Sequence, residues 1–340
     1  MKKPLLQTET RVWRTYRGGH LLEEFLGKAA PTDSFYPEDW ISSFVEAKNK
    51  NYVKCEGISR VLVNGNEIPI TDAVSESDFG VGRRESGVLV KLLNASERLG
   101  VQVHPTPEFS RKYFGVGYGK TECWHILAAE SGAAVYIGFK EGITREKWEA
   151  LFKSQNVEGM LDALHRFEVK KGDSVLVRAG TPHAIGAGCF LLEIQEPTDY
   201  TMRVEKTTVA GDELTPMQIH YGLGEEALLE CFIYEGLSNE ESKERYFISH
   251  MSESTEAREI LISYEDTPCF ALELLKKGGE IYPDSFVTLV VTESGKLRIG
   301  EDAMDVRRGN KIFVPDGCGA IISENAEAIV CYPPKIKKSE

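Results

Sequence analysis

Short apolar segments recur along most of the chain, some alternating with polar residues and others continuous. Turns rich in Gly, Asn, Asp and Pro separate them, a pattern typical of an all-β sandwich or barrel. The sequence therefore predicts a mainly β protein. We predict strands at 60–63, 88–93, 99–104, 122–127, 134–139, 174–177, 189–196, 270–275, 287–292 and 311–314.

Few segments have the periodicity of a helix. One predicted helix covers 106–114, because Thr106 suits the N-cap and Pro107 suits the first turn. The other predicted helices cover 144–154, a short stretch through 160–164, and 225–232. Residues 238–259 are polar and charged with little apolar periodicity, so we interpret them as the connection between two halves.

Two stretches of the chain share one pattern. Residues 172–183 and 309–320 each begin with Gly, continue with five residues rich in strand formers, and reach a second Gly at the same offset. We interpret them as an internal duplication of one β unit. The first copy ends in His183, whereas the second has Ala320 at that place. This asymmetry directs the search for functional residues to about 91–203.

The length of 340 residues is long for a single core and suggests two domains. We predict an N-terminal domain over 1–240, which carries the functional site and short helical insertions. A C-terminal domain over 241–340 would share its architecture but lack metal ligands.

The composition, with 41% hydrophobic and 27% charged residues, is that of a soluble globular protein. A net charge of −13 argues against nucleic-acid binding but permits a phosphorylated small substrate, which needs only a few local cations. The seven cysteines form no C-x-x-C motif, and neither a secretory signal nor a membrane-spanning apolar run is evident. We therefore expect a cytoplasmic protein with reduced thiols and no membrane association, and we leave its oligomeric state open.

Four side chains in the first half have the character of metal ligands. If 99–104 is a strand, Gln102 and His104 project from one face. The same alternation separates Glu122 from His125, which makes His125 a poor ligand candidate, while His183 would approach from another strand. A lone strand histidine is more often structural, but its absence from the second copy favours a joint site. Two imidazoles, a carboxylate and a carboxamide suit Zn²⁺ or a similar divalent ion.

Four motifs in order resemble the type I phosphomannose isomerases of the compact bacterial kind. They are 89–105, 119–124, 179–186 and 191–203. Residues 11–13 with 18–19, and residues 37–40, are similar to the N-terminal part of that family. The resemblance implies a double cupin, which consists of two jelly-roll β-barrels, with one Zn²⁺ per chain in the N-terminal barrel. It matches Arg203 to the catalytic arginine, and it matches the zinc ligands to Gln102, His104, Glu122 and His183.

The chemistry of an aldose–ketose isomerase fits these residues. The reaction moves a proton between C1 and C2 through a cis-enediol, so cationic groups must stabilise the developing oxyanion and a base must take the proton. Lys120 shares a face with Glu122 and is a candidate substrate contact. Lys91 lies in an apolar strand, so it either faces the substrate or lies on an edge strand with a snorkelling side chain. Glu193 is a candidate to orient a ligand or a hydroxyl group.

The leading interpretation is a metal-dependent isomerase that interconverts mannose 6-phosphate and fructose 6-phosphate. The exact sugar, and whether it must be phosphorylated, stay open, because Gly100 replaces the serine that this family usually has before its Gln-x-His motif. Two alternatives remain. One is an Fe(II) cupin oxygenase, since two histidines and a carboxylate also suit that metal. The other is a non-catalytic sugar-binding cupin.

Overall fold

The computed structural model describes residues 2–336, and β-strands are the main elements. The mainly β prediction is confirmed, because every predicted strand is present, although only Gln102–Val103 of 99–104 is extended and paired. The first-half strands are β1 (Leu5–Gln7), β2 (Arg11–Val12), β3 (Glu38–Ile41), β4 (Arg60–Val63), β5 (Asn66–Pro69), β6 (Leu89–Ala95), β7 (Gln102–Val103), β8 (Glu122–Ala129), β9 (Ala134–Lys140), β10 (Leu164–Glu168), β11 (Ser174–Val177), β12 (His183–Ile185), β13 (Cys189–Gln195) and β14 (Met202–Arg203). The remaining strands are β15 (Gly236–Leu237), β16 (Phe247–Ile248), β17 (Arg258–Ile262), β18 (Ala271–Leu275), β19 (Glu280–Ile281), β20 (Val287–Glu293), β21 (Gly295–Ile299), β22 (Asp302–Val306), β23 (Lys311–Val314), β24 (Ile321–Ser323) and β25 (Glu327–Tyr332).

The helices are short, as predicted. They are α1 (His20–Phe25), α2 (Ile70–Ala73), α3 (Glu76–Phe79), α4 (Pro107–Phe114), α5 (Arg145–Ser154), α6 (Val157–Asp162), α7 (Pro216–His220), α8 (Glu225–Glu230) and α9 (Asn239–Tyr246). The four predicted helices correspond to α4, α5, α6 and α8. Helix α9 lies in the segment interpreted as a connection, where a capping box between Ser238 and Glu241 starts a helix that apolar periodicity does not reveal.

The strands form four sheets. A six-stranded sheet has the order β10-β9-β12-β7-β14 with β15 beside β9, and a seven-stranded sheet has the order β16-β11-β8-β13-β6-β3-β2. An eight-stranded sheet has the order β17-β18-β25-β20-β23-β1-β4-β5, and a four-stranded sheet has the order β19-β24-β21-β22. Whether these sheets close into two barrels stays a prediction.

Three apolar cores lie between successive sheets. Trp124 and Leu191 of the seven-stranded sheet pack with Ile137 of the six-stranded sheet. On its other face, the seven-stranded sheet packs against the eight-stranded sheet through residues such as Leu192 and Phe313. A third core joins the eight- and four-stranded sheets. Helices α5, α6 and α8 cover the outer face of the six-stranded sheet. The seven-stranded sheet is therefore buried on both faces.

The two copies of the repeated unit have the same local structure. Gly172 and Gly309 precede strands β11 and β23 with φ angles of 93° and 85°, and Gly180 and Gly317 follow those strands with 84° and 82°. Side chains with a Cβ rarely adopt such angles, which explains why glycine stands at both places in both copies. The next strands, β12 and β24, lie in the six- and four-stranded sheets.

The N-terminal part also contributes to the sheet of the C-terminal part. Strand β1 pairs with β23 and with β4, and β4 pairs with β5, so all three extend the eight-stranded sheet. The domain boundary near residue 240 stays a prediction, and these strands cross it.

None of the helices in residues 2–336 has the length and apolar character that a bilayer crossing requires.

Candidate metal centre and active site

Three of the four proposed ligands lie together, fully buried. Glu122 lies at the start of β8, His183 at the start of β12, and His104 directly after β7. Their ligand atoms all lie within 4.8 Å of one another. Nε2 of His183 lies 3.5 Å from Oε1 of Glu122, and Nε2 of His104 lies 3.1 Å from Oε2. Gln102, the fourth, lies opposite His183 in the pairing of β7 with β12, and its Nε2 is 3.3 Å from His183 Nε2.

Backbone carbonyls orient both imidazoles. Nδ1 of His104 donates to the carbonyl of Tyr200 at 3.0 Å, and Nδ1 of His183 donates to the carbonyl of Thr181 at 2.9 Å. With the proton on Nδ1, each Nε2 keeps a lone pair, and each Nε2 faces Glu122. The main chain thus presents two neutral nitrogen donors to one carboxylate.

The protonation states also suit metal binding. Burial lowers the pKa of His104 to about 3, with a further contribution from Lys120, and burial also lowers the pKa of His183. Although His104 lies at ion-pair distance from Glu122, it is therefore a neutral imidazole at physiological pH. Burial alone would raise the pKa of Glu122, but the ammonium of Lys120 outweighs it and holds that pKa well below its usual value. The site offers two neutral nitrogens and one anionic carboxylate.

The spacing of these atoms fits a bound cation. Ligand atoms arranged tetrahedrally at about 2.0–2.2 Å from an ion lie roughly 3.3–3.6 Å apart, close to the 3.1 and 3.5 Å found here. Oε2 of Glu122 accepts no hydrogen bond from residues 2–336 and contacts Lys120 as an ion pair at 2.9 Å, so it has a lone pair to offer a metal ion. The carboxamide of Gln102 can present its oxygen by rotation. These residues could hold a metal ion.

Residues next to Glu122 follow the strand alternation that the sequence predicts. Nε1 of Trp124 donates to Oε1 of Glu122 at 3.0 Å, and Nζ of Lys120 lies 2.9 Å from Oε2. Nζ of Lys120 also lies 2.8 Å from Nε2 of His104. His125 points to the other side of the sheet, where its Nδ1 lies 3.0 Å from Oγ of Ser174. Lys120 therefore belongs to the site and His125 does not.

Two cavities lie beside this centre. The deep cleft, about 50 Å³, is lined by Gln102 and Lys120 among others, so it reaches one proposed ligand and the lysine beside Glu122. The outer pocket, about 570 Å³, also includes Gln102 and opens beyond it. Arg203 lines both cavities, and its Nη1 donates to the carbonyl of Gln218 at 2.7 Å. The outer pocket has the size of a small-ligand site.

Lys91 and Glu193 form a buried ion pair in the deep cleft. Nζ of Lys91 donates to Oε1 of Glu193 at 2.9 Å, and the two residues face each other across β6 and β13. Strand β6 lies between β13 and β3. Lys91 is therefore neither on an edge strand nor snorkelling, and it points into a polar cleft. Burial raises the pKa of Glu193, with Lys91 opposing that effect. The pKa of Lys91 is also raised, because nearby carboxylates, chiefly Glu193, outweigh its burial.

Comparisons with known proteins were made by sequence and by structure. No family model matches the chain. The chain is 31% identical over 212 residues to mannose-6-phosphate isomerase of Streptococcus mutans, a match that covers 60% of this chain and 61% of the relative. It is 36% identical over 117 residues to mannose-6-phosphate isomerase ManA of Bacillus subtilis, over 34% and 36% of the two chains. The matches thus span less than two thirds of these relatives.

Solved structures match the chain over nearly all its length. Mannose 6-phosphate isomerase from Bacillus subtilis superposes with a TM-score of 0.75 at 21% identity and covers 97% of this chain and 100% of its own. A putative mannosephosphate isomerase from Archaeoglobus fulgidus gives a TM-score of 0.73 at 20% identity, over 98% and 99%. The resemblance to type I phosphomannose isomerases is confirmed. The fold of residues 2–336, including the C-terminal part, is that of the phosphomannose isomerase structures.

A second buried charge cluster in the deep cleft was not predicted from the sequence. Nε of Arg14 lies 2.9 Å from Oε1 of Glu38, which also accepts from the hydroxyl of Tyr16 at 2.7 Å. Nε1 of Trp40 donates to Oε2 of Glu38 at 2.7 Å. Burial alone would raise the pKa of Glu38, but Arg14 and Lys91 lower it to about 2. The available signal was the similarity of 37–40, which includes Glu38, to the phosphomannose isomerases, whereas Arg14 and Tyr16 lie between the similar residues 11–13 and 18–19.

Asp199 is the other acidic residue that sequence reasoning missed. Its Oδ1 lies 3.2 Å from Nη2 of Arg14, and its Oδ2 accepts from the backbone N–H of Lys48 at 2.7 Å. One carboxylate thus ties the loop after β13 to two N-terminal segments. Asp199 lies inside the resembling stretch 191–203, but neither its type nor its spacing revealed these partners.

Proposed function

We propose that this chain is a metal-dependent aldose–ketose isomerase that interconverts mannose 6-phosphate and fructose 6-phosphate. The observation that carries the proposal is the cluster of His104, Glu122 and His183 beside Gln102 and Lys120, which line a cleft with further basic side chains. The similarity to curated mannose-6-phosphate isomerases supports it. The sugar would lie with its reacting carbons in the deep cleft and its far end in the outer pocket.

The metal would be Zn²⁺, one per chain, held by Gln102, His104, Glu122 and His183. Nitrogen and carboxylate donors with a carboxamide oxygen suit this ion. When bound, it would supply a Lewis acid that polarises the substrate carbonyl. The enzyme would work in the cytoplasm, which the seven free cysteines support, because such thiols persist under reducing conditions.

The basic side chains would stabilise negative charge during the reaction. Arg203 lines the cleft and forms no ion pair within residues 2–336, so its guanidinium is available to a developing oxyanion. Lys120 extends beside Glu122, and its ammonium would contact the oxygen atoms of the sugar nearest the metal ligands. Both groups are preorganised, Arg203 by the carbonyl of Gln218 and Lys120 by Glu122.

Glu193 would transfer the proton between C1 and C2. Burial raises its pKa towards the working pH. A carboxylate with such a pKa can both take and return a proton. Lys91 would hold the ionised form through the contact at 2.9 Å. A single buried carboxylate of this kind can serve both directions of a reversible isomerisation.

An isomerase assay with purified protein loaded with Zn²⁺ tests the proposal. We expect turnover of mannose 6-phosphate to fructose 6-phosphate, with loss of activity on chelation and in the variant His104→Ala. The absence of turnover with mannose 6-phosphate, other aldose phosphates and free aldoses would contradict the proposal. Sugar binding without turnover would instead favour a non-catalytic cupin, and bound iron with oxygen consumption would favour an Fe(II) oxygenase.

A further inference from the structure

The cations of the deep cleft differ in whether a carboxylate neutralises them. Five basic side chains line it: Arg14, Lys48, Lys91, Lys120 and Arg203. Three are paired, since Arg14 contacts Glu38 and Asp199, Lys91 contacts Glu193, and Lys120 contacts Glu122. Lys48 and Arg203 form no ion pair with any residue in 2–336. Two positive charges in the cleft are therefore available to an anion.

These two side chains lie where the deep cleft meets the outer pocket. Lys48 and Arg203 line both cavities, whereas Lys91 and Lys120 line only the deep cleft. Arg98, which also lines the outer pocket, is held by Glu205 through two contacts at 2.6 and 2.9 Å. A bidentate pair of this kind leaves Arg98 little capacity for another anion. Lys50 lines only the outer pocket, so an anionic group at the junction would meet Lys48 on the side away from the reacting carbons.

The backbone of Lys48 is fixed although its side chain is exposed. Its N–H donates to Oδ2 of Asp199 at 2.7 Å, and the N–H of Ala47 donates to the carbonyl of Glu56 at 2.8 Å. Asp199 is itself held by Arg14. The main chain around Lys48 is thus anchored to the wall of the cleft, while the ammonium is free to bind a ligand.

Tyr200 sets the position of that ammonium relative to the metal centre. Nζ of Lys48 lies 4.6 Å from the centroid of the Tyr200 ring, within the range of a cation–π contact. That ring stacks on Phe114 at 4.0 Å with an interplanar angle of 8°. The carbonyl of the same Tyr200 accepts from Nδ1 of His104. One residue therefore connects the free cation to a proposed metal ligand.

We propose that Lys48 is a specificity-determining residue that binds the phosphate group of the substrate, which leaves Arg203 to the reacting carbons. This inference rests on the proposed function, and it adds the reason why a phosphorylated sugar would be preferred to a free one. A doubly charged phosphate accepts charge-assisted hydrogen bonds from ammonium and guanidinium groups. The contact with Tyr200 places this ammonium beside the residue whose carbonyl accepts from the proposed metal ligand His104.

Kinetics with two substrates test this role. In Lys48→Ala we expect kcat/KM for mannose 6-phosphate to fall by about 10- to 100-fold, the effect of one hydrogen bond between charged groups. We expect the loss mainly in KM, and kcat/KM for free mannose should stay within about twofold of the unmodified enzyme. Lys48→Arg should retain most of the kcat/KM for mannose 6-phosphate, because arginine keeps the positive charge. Lys54→Ala, an exposed lysine of the same loop that lines neither cavity, is the matched control and should behave as the unmodified enzyme.

Equilibrium binding separates this inference from the proposed function. Calorimetry with the Zn²⁺-loaded protein should give a dissociation constant for mannose 6-phosphate about 10- to 100-fold weaker in Lys48→Ala than in Lys54→Ala. If the unmodified protein binds mannose 6-phosphate in this Lys48-dependent way but turns over no sugar, the proposed function is wrong and the phosphate site stands. If Lys48→Ala binds and turns over mannose 6-phosphate normally, the inference is wrong even for an active isomerase. It is also wrong if kcat/KM for free mannose falls as much as kcat/KM for mannose 6-phosphate.

Discussion

At the scale of single residues, Glu122 determines the charge balance of the metal centre. It is the only anionic member of the proposed ligand set, and each of its oxygens faces one imidazole. Trp124 donates to one oxygen, and Lys120 lies beside the other. A neutral side chain at this place would leave the two histidines without an anionic partner and Lys120 buried without a counter-charge.

The variant Glu122→Gln should therefore lose its metal. We expect the affinity for Zn²⁺ to fall by at least about 100-fold, because changes to groups that merely support metal ligands already cost 10- to 100-fold. Elemental analysis after dialysis measures the metal content per chain. His125→Gln is the control, because His125 lies on the same strand but bonds to Ser174 on the opposite face. Equal metal content in the two variants would contradict the assignment of Glu122 as a ligand.

The site residues that the sequence revealed share a strand or a motif, and those it did not reveal come from distant segments. Alternation placed Lys120 and Glu122 on one face correctly, because a strand fixes the direction of every second side chain. Arg14, Glu38 and Asp199 meet only because the folded chain brings three remote segments to one cleft. Periodicity contains no information on such contacts. A single sequence could therefore predict the proposed ligands but not the charges that surround them.

At the scale of elements, strand β3 connects the cleft to the C-terminal part. Successive side chains of a strand point to opposite faces, so Glu38 faces the cleft and Asp39 faces the eight-stranded sheet. There Asp39 forms a buried ion pair with Lys311 of β23, and its Oδ1 accepts from the N–H of Thr10 at 2.7 Å. Lys311 also donates to the carbonyl of Thr8 at 2.9 Å. The second copy of the repeat thus supports the position of Glu38 without contacting the cleft.

The variant Lys311→Met should be strongly destabilised. It leaves the carboxylate of Asp39 buried without a counter-charge, which typically costs about 3–5 kcal/mol of the free energy of unfolding. Urea denaturation monitored by tryptophan fluorescence measures the loss. The double variant Asp39→Asn with Lys311→Met removes both charges, and we expect it to recover part of that stability. If Lys311→Met is as stable as the unmodified protein, the ion pair between Asp39 and Lys311 does not stabilise the contact of β3 with β23.

At the scale of the whole molecule, the mainly β architecture followed from the sequence, whereas the arrangement of the sheets did not. The apolar segments predicted strands because their pattern depends only on local geometry. The pairing of β1 with β23 was not predicted, because a strand of three residues gives no signal of a partner near the other end of the chain. The repeat did predict equivalent turns, because both copies need glycine at the same positive φ angles.

The connection between the two parts of the molecule contains a histidine whose charge should affect stability. Nε2 of His250 lies 2.7 Å from Oδ2 of Asp266, and its Nδ1 lies 3.1 Å from Oε1 of Glu253. Burial would lower the pKa of His250, but the contacts with these carboxylates outweigh it and raise the pKa above 6.5. The pKa of Asp266 lies below 3.8, because hydrogen bonds from Ser263 and His250 outweigh its burial. Arg178 from the first copy of the repeat also donates to the carbonyl of Asp266 at 3.2 Å.

The sign of the pH effect follows from these two shifts. A raised histidine pKa gives stability that is complete below about pH 6.5 and is lost as the pH rises through the folded-state value. A lowered aspartate pKa gives stability that is lost only as the pH falls through its own folded-state value. The thermal midpoint of the unmodified protein should therefore exceed that of His250→Asn by more at pH 5.5 than at pH 8.5. Asp266→Asn should reduce this pH dependence, because it removes the nearer carboxylate. A difference between the unmodified protein and His250→Asn that is the same at both pH values would show that protonation of His250 does not stabilise this connection.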